Sequence, residues 1–124
     1  MCKLLQFQVA KENKSNEGTC VGVCRLPVTD YGHRSTSDMW LYRAYSGNLY
    51  HGGEQPRSLA AFTQGDIITC TLDMDSRTLS FGKNGEVGGI AQKLYNLPFM
   101  YLFIECHVCK NISLITVLNV LWLL

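Results

Sequence analysis

The sequence predicts an all-β protein, specifically an antiparallel β-sandwich. Short stretches of alternating polar and apolar residues recur along residues 1–86, with turn signals about every 8–12 residues. The same part of the chain shows no apolar repeat at helical spacing. At 124 residues, the chain is long enough for one domain with a hydrophobic core.

Residues 65–85 carry the clearest pattern. Apolar side chains there fall at every second position, with polar residues between them: Ile68, Cys70, Leu72 and Met74. This period of two predicts a strand with one buried face. The polar segment 75–77 then leads into a second alternating stretch, 78–81, which predicts a hairpin. Asn84-Gly85 predicts another tight turn, since both residues tolerate positive φ.

The residues before this segment also predict strands separated by polar loops. Residues 4–10 alternate and predict a first strand, followed by a polar hairpin loop over 11–18. Residues 19–24 predict a second strand. Within it, Gly22 indicates a bulge or a close approach of another backbone.

Residues 27–38 are rich in Pro, Asp, Gly, Ser and Thr and predict a loop. A third strand follows at 39–45, with Trp40 and Tyr42 expected to pack in the core because large aromatics dominate cores. A turn at 46–48, a strand at 49–51 and a polar loop at 52–58 complete this part.

Several of these segments, in this order, resemble the signature of the SPRY (B30.2-like) family. That signature has a Gly-Asp turn, a strand ending around an Asp, a short strand ending in Phe, and an Asn-Gly turn. The matching segments here are Gly65–Ile68, Leu72–Met74, Thr78–Phe81 and Lys83–Gly85. The segments 4–10 and Cys20–Cys24 are similar to the opening pair of strands in the family.

The resemblance implies an antiparallel β-sandwich that recognises a protein or peptide partner and has no catalytic, cofactor or metal residues. Family members bind through loops at one end of the sandwich, which correspond here to Pro27–Asp38, Ser46–Asn48 and Gly52–Ser58. From exposure and interface chemistry we predict the following partner-binding residues: Tyr31, His33, Arg34, Tyr50 and Arg57.

Residues Met39–Glu54 are similar in wording to the SPRY modules embedded in giant HECT-type ubiquitin ligases with RCC1-like repeats. This closer resemblance implies substrate or adaptor recognition for a ubiquitin ligase.

The sequence changes character after Glu86. Residues 87–124 hold only three formal charges and two apolar runs, so the resemblance is assigned to residues 4–86 and the remainder to a divergent apolar tail. Glu86-Val87-Gly88 can be encoded by an exon end that reads into a splice donor, and we hypothesise that the tail is translated intron. A truncated sandwich of this kind would be a non-functional splice product, and a divergent pair of core strands is the alternative.

The sequence gives only weak signals for metal binding or catalysis. Cys106-x-x-Cys109 with Cys20 and Cys24 could supply four thiolates for zinc, but the latter pair sits in an apolar strand, where thiols behave as small hydrophobes. Asp73 and Asp75 could suggest catalysis or Ca²⁺, but their positions favour a strand end and a turn. His51 is expected to be a hydrogen-bonded structural residue or a contact at a loop tip.

The net charge of +1 gives no electrostatic argument for nucleic acid. The first residues contain no apolar run typical of a signal peptide, so a cytoplasmic location with reduced cysteines is expected. Membrane attachment through the apolar tail is a further alternative, although neither run reaches the roughly 20 residues of a spanning helix.

Overall fold

The computed structural model describes residues 2–11, 20–25, 27–73, 75–93, 104–108 and 114–123. These residues form strands, turns and loops and include no helix. The strands are β1 (Cys2–Lys11), β2 (Cys20–Cys24), β3 (Met39–Arg43), β4 (Asn48–Tyr50), β5 (Glu54–Ser58), β6 (Ile67–Asp73), β7 (Thr78–Lys83), β8 (Glu86–Lys93), β9 (Ile104–Val108) and β10 (Leu114–Leu123).

The strands form two five-stranded sheets in which every pairing is antiparallel. Sheet 1 has the order β10-β1-β6-β7-β8, and sheet 2 has the order β5-β4-β3-β2-β9. The predicted all-β antiparallel fold is therefore confirmed.

The main core lies between the sheets and takes side chains from both. Alternate residues of β6 are buried, as the period of two predicts. Trp40 and Tyr42 belong to the same cluster and are core residues, as expected. The cluster contains Val21, Val23, Trp40, Tyr42, Ala44, Leu49, Phe62, Ile68, Cys70, Leu72, Leu79 and Phe81.

Sheet 2 is also covered on its other face. A second cluster contains the alternate residues of β2 and β3 together with Tyr50: Cys20, Cys24, Met39, Leu41 and Tyr50. Val28, from the loop between β2 and β3, packs against it. Burial on both faces explains why every residue of β2 is buried.

Two local predictions about glycine and turn chemistry agree with the structure. Asn84 and Gly85 have φ values of 50° and 85°, and they connect β7 to β8. Gly22 faces the backbone of β3, and a Cβ at this position would collide with the carbonyl oxygen of Trp40. Gly22 therefore marks a close approach of two strands.

The prediction of a loop over residues 52–58 is wrong for its second part, because Glu54–Ser58 forms β5. This strand lies at the edge of sheet 2 and pairs only with β4 among the described strands. An edge strand tolerates a proline, since one side of its backbone needs no partner. Pro56 and the polar composition of this segment are typical of a loop, and β5 is therefore not recognisable from the sequence.

Residues 87–124 contribute to both sheets. Strand β9 pairs with β2 in sheet 2, and β10 pairs with β1 in sheet 1. The sequence predicts a divergent apolar tail for this range, with a pair of core strands as the alternative, and the pairing of β9 and β10 agrees with that alternative. The division of the chain at residue 86 and the translated-intron origin stay predictions, because backbone pairing does not test where the coding sequence came from. The described residues contain no helix that could cross a membrane.

Candidate interaction surface

The order of the strands determines which loops share an end of the sandwich. Residues 27–38 precede β3 and residues 44–47 follow it, so these connections lie at opposite ends of that strand. Strand β4 returns antiparallel to β3, which brings residues 51–53 back to the end where 27–38 lies. The amide of Gly52 donates to the carbonyl of Thr36 at 2.7 Å and joins the two segments. We call residues 27–38 and 51–53 the β2–β3 end.

The opposite end is formed by residues 44–47 and 59–66, which we call the β3–β4 end. The amide of Leu59 donates to the carbonyl of Gly47 at 2.7 Å, and the amide of Phe62 donates to that of Ala44 at 2.9 Å. The expectation that Ser46–Asn48 joins the other two loops at one end is therefore wrong. A full strand, β3, separates it from them.

A buried carboxylate, Asp38, fixes the base of the 27–38 loop. Its Oδ2 accepts hydrogen bonds from the amide and the hydroxyl of Thr29, both at 2.8 Å, and from the amide of Asp30 at 3.3 Å. Its Oδ1 accepts from Nε of Arg25 at 2.9 Å. The bonds from Thr29, and then that from Arg25, hold the pKa of Asp38 well below its usual range because they favour the ionised form.

A second carboxylate, Asp30, organises the tip of the same loop. Its Oδ1 accepts from the amide of Gly32 and its Oδ2 from the hydroxyl of Ser35, both at 2.8 Å. The amide of Ser35 also bonds the carbonyl of Gly32 at 3.1 Å and closes a tight turn. A carboxylate therefore holds the backbone on each side of Tyr31: Asp38 accepts from the amide of Asp30, and Asp30 accepts from the amide of Gly32.

Tyr31 and Arg34 are the exposed predicted residues at the β2–β3 end. Tyr31 has 68% of its surface accessible, and Arg34 is exposed on the turn that follows. These placements agree with the exposure on which both predictions depend. Large aromatic and arginine side chains are the usual anchors of protein interfaces.

His33 and Tyr50 form a contact beneath these two residues. The ring of His33 meets the ring of Tyr50 edge-on, with centroids 5.2 Å apart. His33 is half-buried, but Tyr50 is only 1% exposed because it belongs to the outer cluster of sheet 2. The exposure assumed for Tyr50 is therefore wrong, and its position is that of a residue supporting the loop.

Arg57 is placed apart from the other four. It lies in β5, one residue before Ser58, which pairs with Asn48 at the start of β4. The backbone position is therefore nearer to the β3–β4 end. The side chain of Arg57 lies outside the described part of the structure.

His51 has the structural role expected of it. Its ring stacks on Trp40 at a centroid distance of 4.2 Å, and its Nδ1 lies 3.0 Å from the carbonyl oxygen of Met39. Burial lowers the pKa of His51, which favours the neutral ring. The side chain therefore supports the turn that carries Gly52 and Gly53.

The cysteines differ in part from expectation. Cys20 and Cys70 are free thiols, but Cys24 is disulfide-bonded, whereas reduced cysteines were expected throughout. The zinc alternative involves Cys109 and the side chain of Cys106, which lie outside the described residues. Among those that are described, no group of three or more His, Cys, Asp or Glu is placed to hold a metal.

Two small pockets flank Phe81 on the β7–β8 side of the molecule. Their volumes are about 90 and 100 Å³, and Phe81, Gly82 and Glu86 line both of them. Sites for drug-sized ligands and cofactors usually enclose roughly 300–1,000 Å³. Neither of these two pockets reaches that size.

Comparisons of the sequence and of the structure with known proteins point to the same family. A model of the SPRY domain family matches residues 5–115. The crystal structure of the SPRY domain of human HERC1 is similar, with a TM-score of 0.84 and 51% sequence identity over 94% of this chain and 73% of that chain. Another human SPRY domain has a TM-score of 0.62 at 18% identity, over 92% of this chain and 74% of that chain, and shows the shared fold. The family match continues past residue 86, where the motifs recognised in the sequence end.

Proposed function

This chain belongs to the SPRY domain family, and we propose that it is a recognition module that binds a protein partner through its β2–β3 end. SPRY domains are generally protein–protein interaction modules rather than catalysts. The observation that carries the choice of surface is the exposure of Tyr31 on a loop that two carboxylates hold in place.

A rigid loop suits recognition because little conformational freedom is lost when a partner binds. Ordering a flexible side chain or loop on binding lowers affinity. A loop that Asp30 and Asp38 already hold is ordered before the partner binds, so this loss is small. The aromatic ring of Tyr31 then offers a large contact area with only two side-chain torsions to restrict.

The proposal is tested by comparing proteins captured from a cell extract by matched variants. Tyr31→Ala with Arg34→Ala should lose most of the partners captured by the unmodified domain, as counted by quantitative mass spectrometry. Tyr45→Ala is the matched control, since Tyr45 is 51% exposed at the β3–β4 end. Unfolding midpoints should be similar for all forms. Retention of the same partners by the double variant would contradict the proposal.

We also propose that the partner is a substrate or adaptor of a ubiquitin ligase. Support comes from the similarity of Met39–Glu54 to SPRY modules of giant HECT-type ligases. A partner that requires Tyr31 and Arg34 should carry fewer ubiquitin chains in cells whose only form of this domain is the double variant. Unchanged ubiquitination of such a partner would remove the ligase assignment and leave the recognition role intact.

A further inference from the structure

The charged groups at the β2–β3 end are unequally engaged. The carboxylates of Asp30 and Asp38 accept hydrogen bonds from donors within the loop and at its base, and Arg25 is paired with Asp38. Arg34, by contrast, makes no hydrogen bond or ion pair with any residue that the structure describes. Its guanidinium is the charged group of this loop left available to another molecule.

Tyr31 directly precedes a tight turn over residues 32–35, and Arg34 is the third residue of that turn. The amide of Ser35 bonds the carbonyl of Gly32, and the ends of such a turn lie within about 7 Å of each other. The amide of Thr36 bonds the same carbonyl at 2.9 Å and tightens the segment further. Tyr31 and Arg34 are three residues apart, so their Cα atoms lie within about 11 Å of each other, and both side chains are exposed. One short piece of a partner can therefore contact both.

We propose that the β2–β3 end selects a partner segment in which an Asp or Glu stands next to a hydrophobic residue. This inference rests on the proposed function and specifies the chemistry of its partner. The partner carboxylate binds the guanidinium of Arg34, whose planar fork matches a carboxylate in two hydrogen bonds. The hydrophobic side chain packs on the ring of Tyr31.

The loop's own carboxylates do not favour a basic partner. Asp38 is buried and its carboxylate already accepts four hydrogen bonds, and the two bonds that Asp30 accepts use part of its capacity, so both offer less to a lysine or arginine than a free carboxylate would. A basic residue beside Arg34 would also be repelled by a like charge, which is a common source of specificity at interfaces.

The first test selects ligands from a random peptide library displayed on phage. Peptides enriched by the unmodified domain should share an Asp or Glu beside a hydrophobic residue. The Arg34→Glu variant reverses the charge at one exposed position, so its enriched peptides should lose the acidic residue and gain Lys or Arg. Tyr45→Ala should enrich the same peptides as the unmodified domain.

The second test measures the affinity of one synthetic enriched peptide by calorimetry. Arg34→Ala should weaken binding roughly tenfold to a hundredfold, as expected for loss of a charge-assisted hydrogen bond. Replacing the peptide's acidic residue by its amide should weaken binding to the unmodified domain but have little further effect on Arg34→Ala. Such coupling identifies the two groups as a pair.

The outcomes separate this inference from the proposed function. Peptides that need Tyr31 but show no acidic preference would overturn the inference alone. Peptides that bind Tyr31→Ala and Arg34→Ala as tightly as the unmodified domain would overturn both. A library with no enrichment over a folded control domain would overturn recognition of a linear acidic segment.

Discussion

The carboxylate of Asp38 accepts hydrogen bonds from its own loop and from Arg25, so the shape of the loop is linked to the titration of this carboxylate. The folded chain keeps the group ionised because Thr29 and Arg25 bond the charged form. A neutral amide at the same position could not accept the same set of bonds on both atoms, because its nitrogen is a donor. Asp38 thus helps to position Tyr31 from a buried site at the base of the loop.

We predict that Asp38→Asn lowers stability at neutral pH and flattens the dependence of stability on acid. The folded pKa lies below the unfolded value of about 3.9, so the contribution of Asp38 is fully present above that value. It is lost as the pH falls through the folded pKa. Urea unfolding measured between neutral pH and about pH 2 tests this.

Glu86→Gln is the control for that measurement, since Glu86 is exposed and lies far from the loop in sequence. Asp73 also has a lowered pKa, chiefly because the amide of Ser76 donates to it, so some acid dependence should remain in Asp38→Asn. Identical acid profiles for Asp38→Asn and the unmodified domain would refute the role given to this carboxylate.

The sequence predicts the exposure of some candidate site residues but not of all. Tyr31 and Arg34 were predicted correctly as exposed, because the polar composition around them favours a loop. Tyr50 was misjudged because a tyrosine near a turn can face either side of the sheet. The importance of Asp38 was missed, since its partners Arg25 and Thr29 lie 13 and 9 residues away. An Asp directly before a buried strand was the available signal.

At the scale of elements, the alternation in β6 and β7 was sufficient to predict a hairpin with one buried face. β5 was missed because an edge strand needs neither apolar alternation nor a complete set of backbone partners. The predicted strand order itself places Ser46–Asn48 away from the other two loops. Consecutive antiparallel strands reverse direction, so the connections before and after β3 must lie at opposite ends.

We predict that Gly22→Ala destabilises the domain by about 2–3 kcal/mol, toward the upper part of the usual range for overpacking. The added methyl group would meet the backbone of Trp40 rather than a side chain that could rotate away. Strands β2 and β3 would have to separate. Equilibrium unfolding in urea measures the change.

Gly52→Ala provides the comparison for that substitution. Gly52 has a φ of +64°, but nothing lies within 4 Å of the position of its Cβ. The cost there comes only from backbone strain, about 1 kcal/mol. A loss at Gly22 no larger than the loss at Gly52 would contradict the close approach.

The whole molecule combines strands that are far apart in sequence. β1 lies between β6 and β10, and β2 lies between β3 and β9, so both sheets require long segments of chain to close. Neighbouring residues alone do not specify these pairings, which is why the sheet order could not be predicted from local patterns. The family resemblance supplied the sandwich but not the strand order.

This topology predicts slow folding. Domains dominated by non-local strand pairing generally fold in milliseconds to seconds, whereas helical domains of similar size can fold in microseconds to milliseconds. Refolding after dilution from urea, followed by stopped-flow circular dichroism in the far ultraviolet, should fall in the slower range. Complete refolding within microseconds would show that local pairs dominate.

The separation of the two loop ends has a practical consequence for handling the protein. Tyr31 and Tyr45 are separated by the length of β3, whose five residues span roughly 17 Å. A biotin or a sensor-chip linker attached at position 45 would therefore leave the 27–38 loop facing solution. The same linker attached at Gly52 or Gly53 would stand beside that loop and obstruct whatever approaches it.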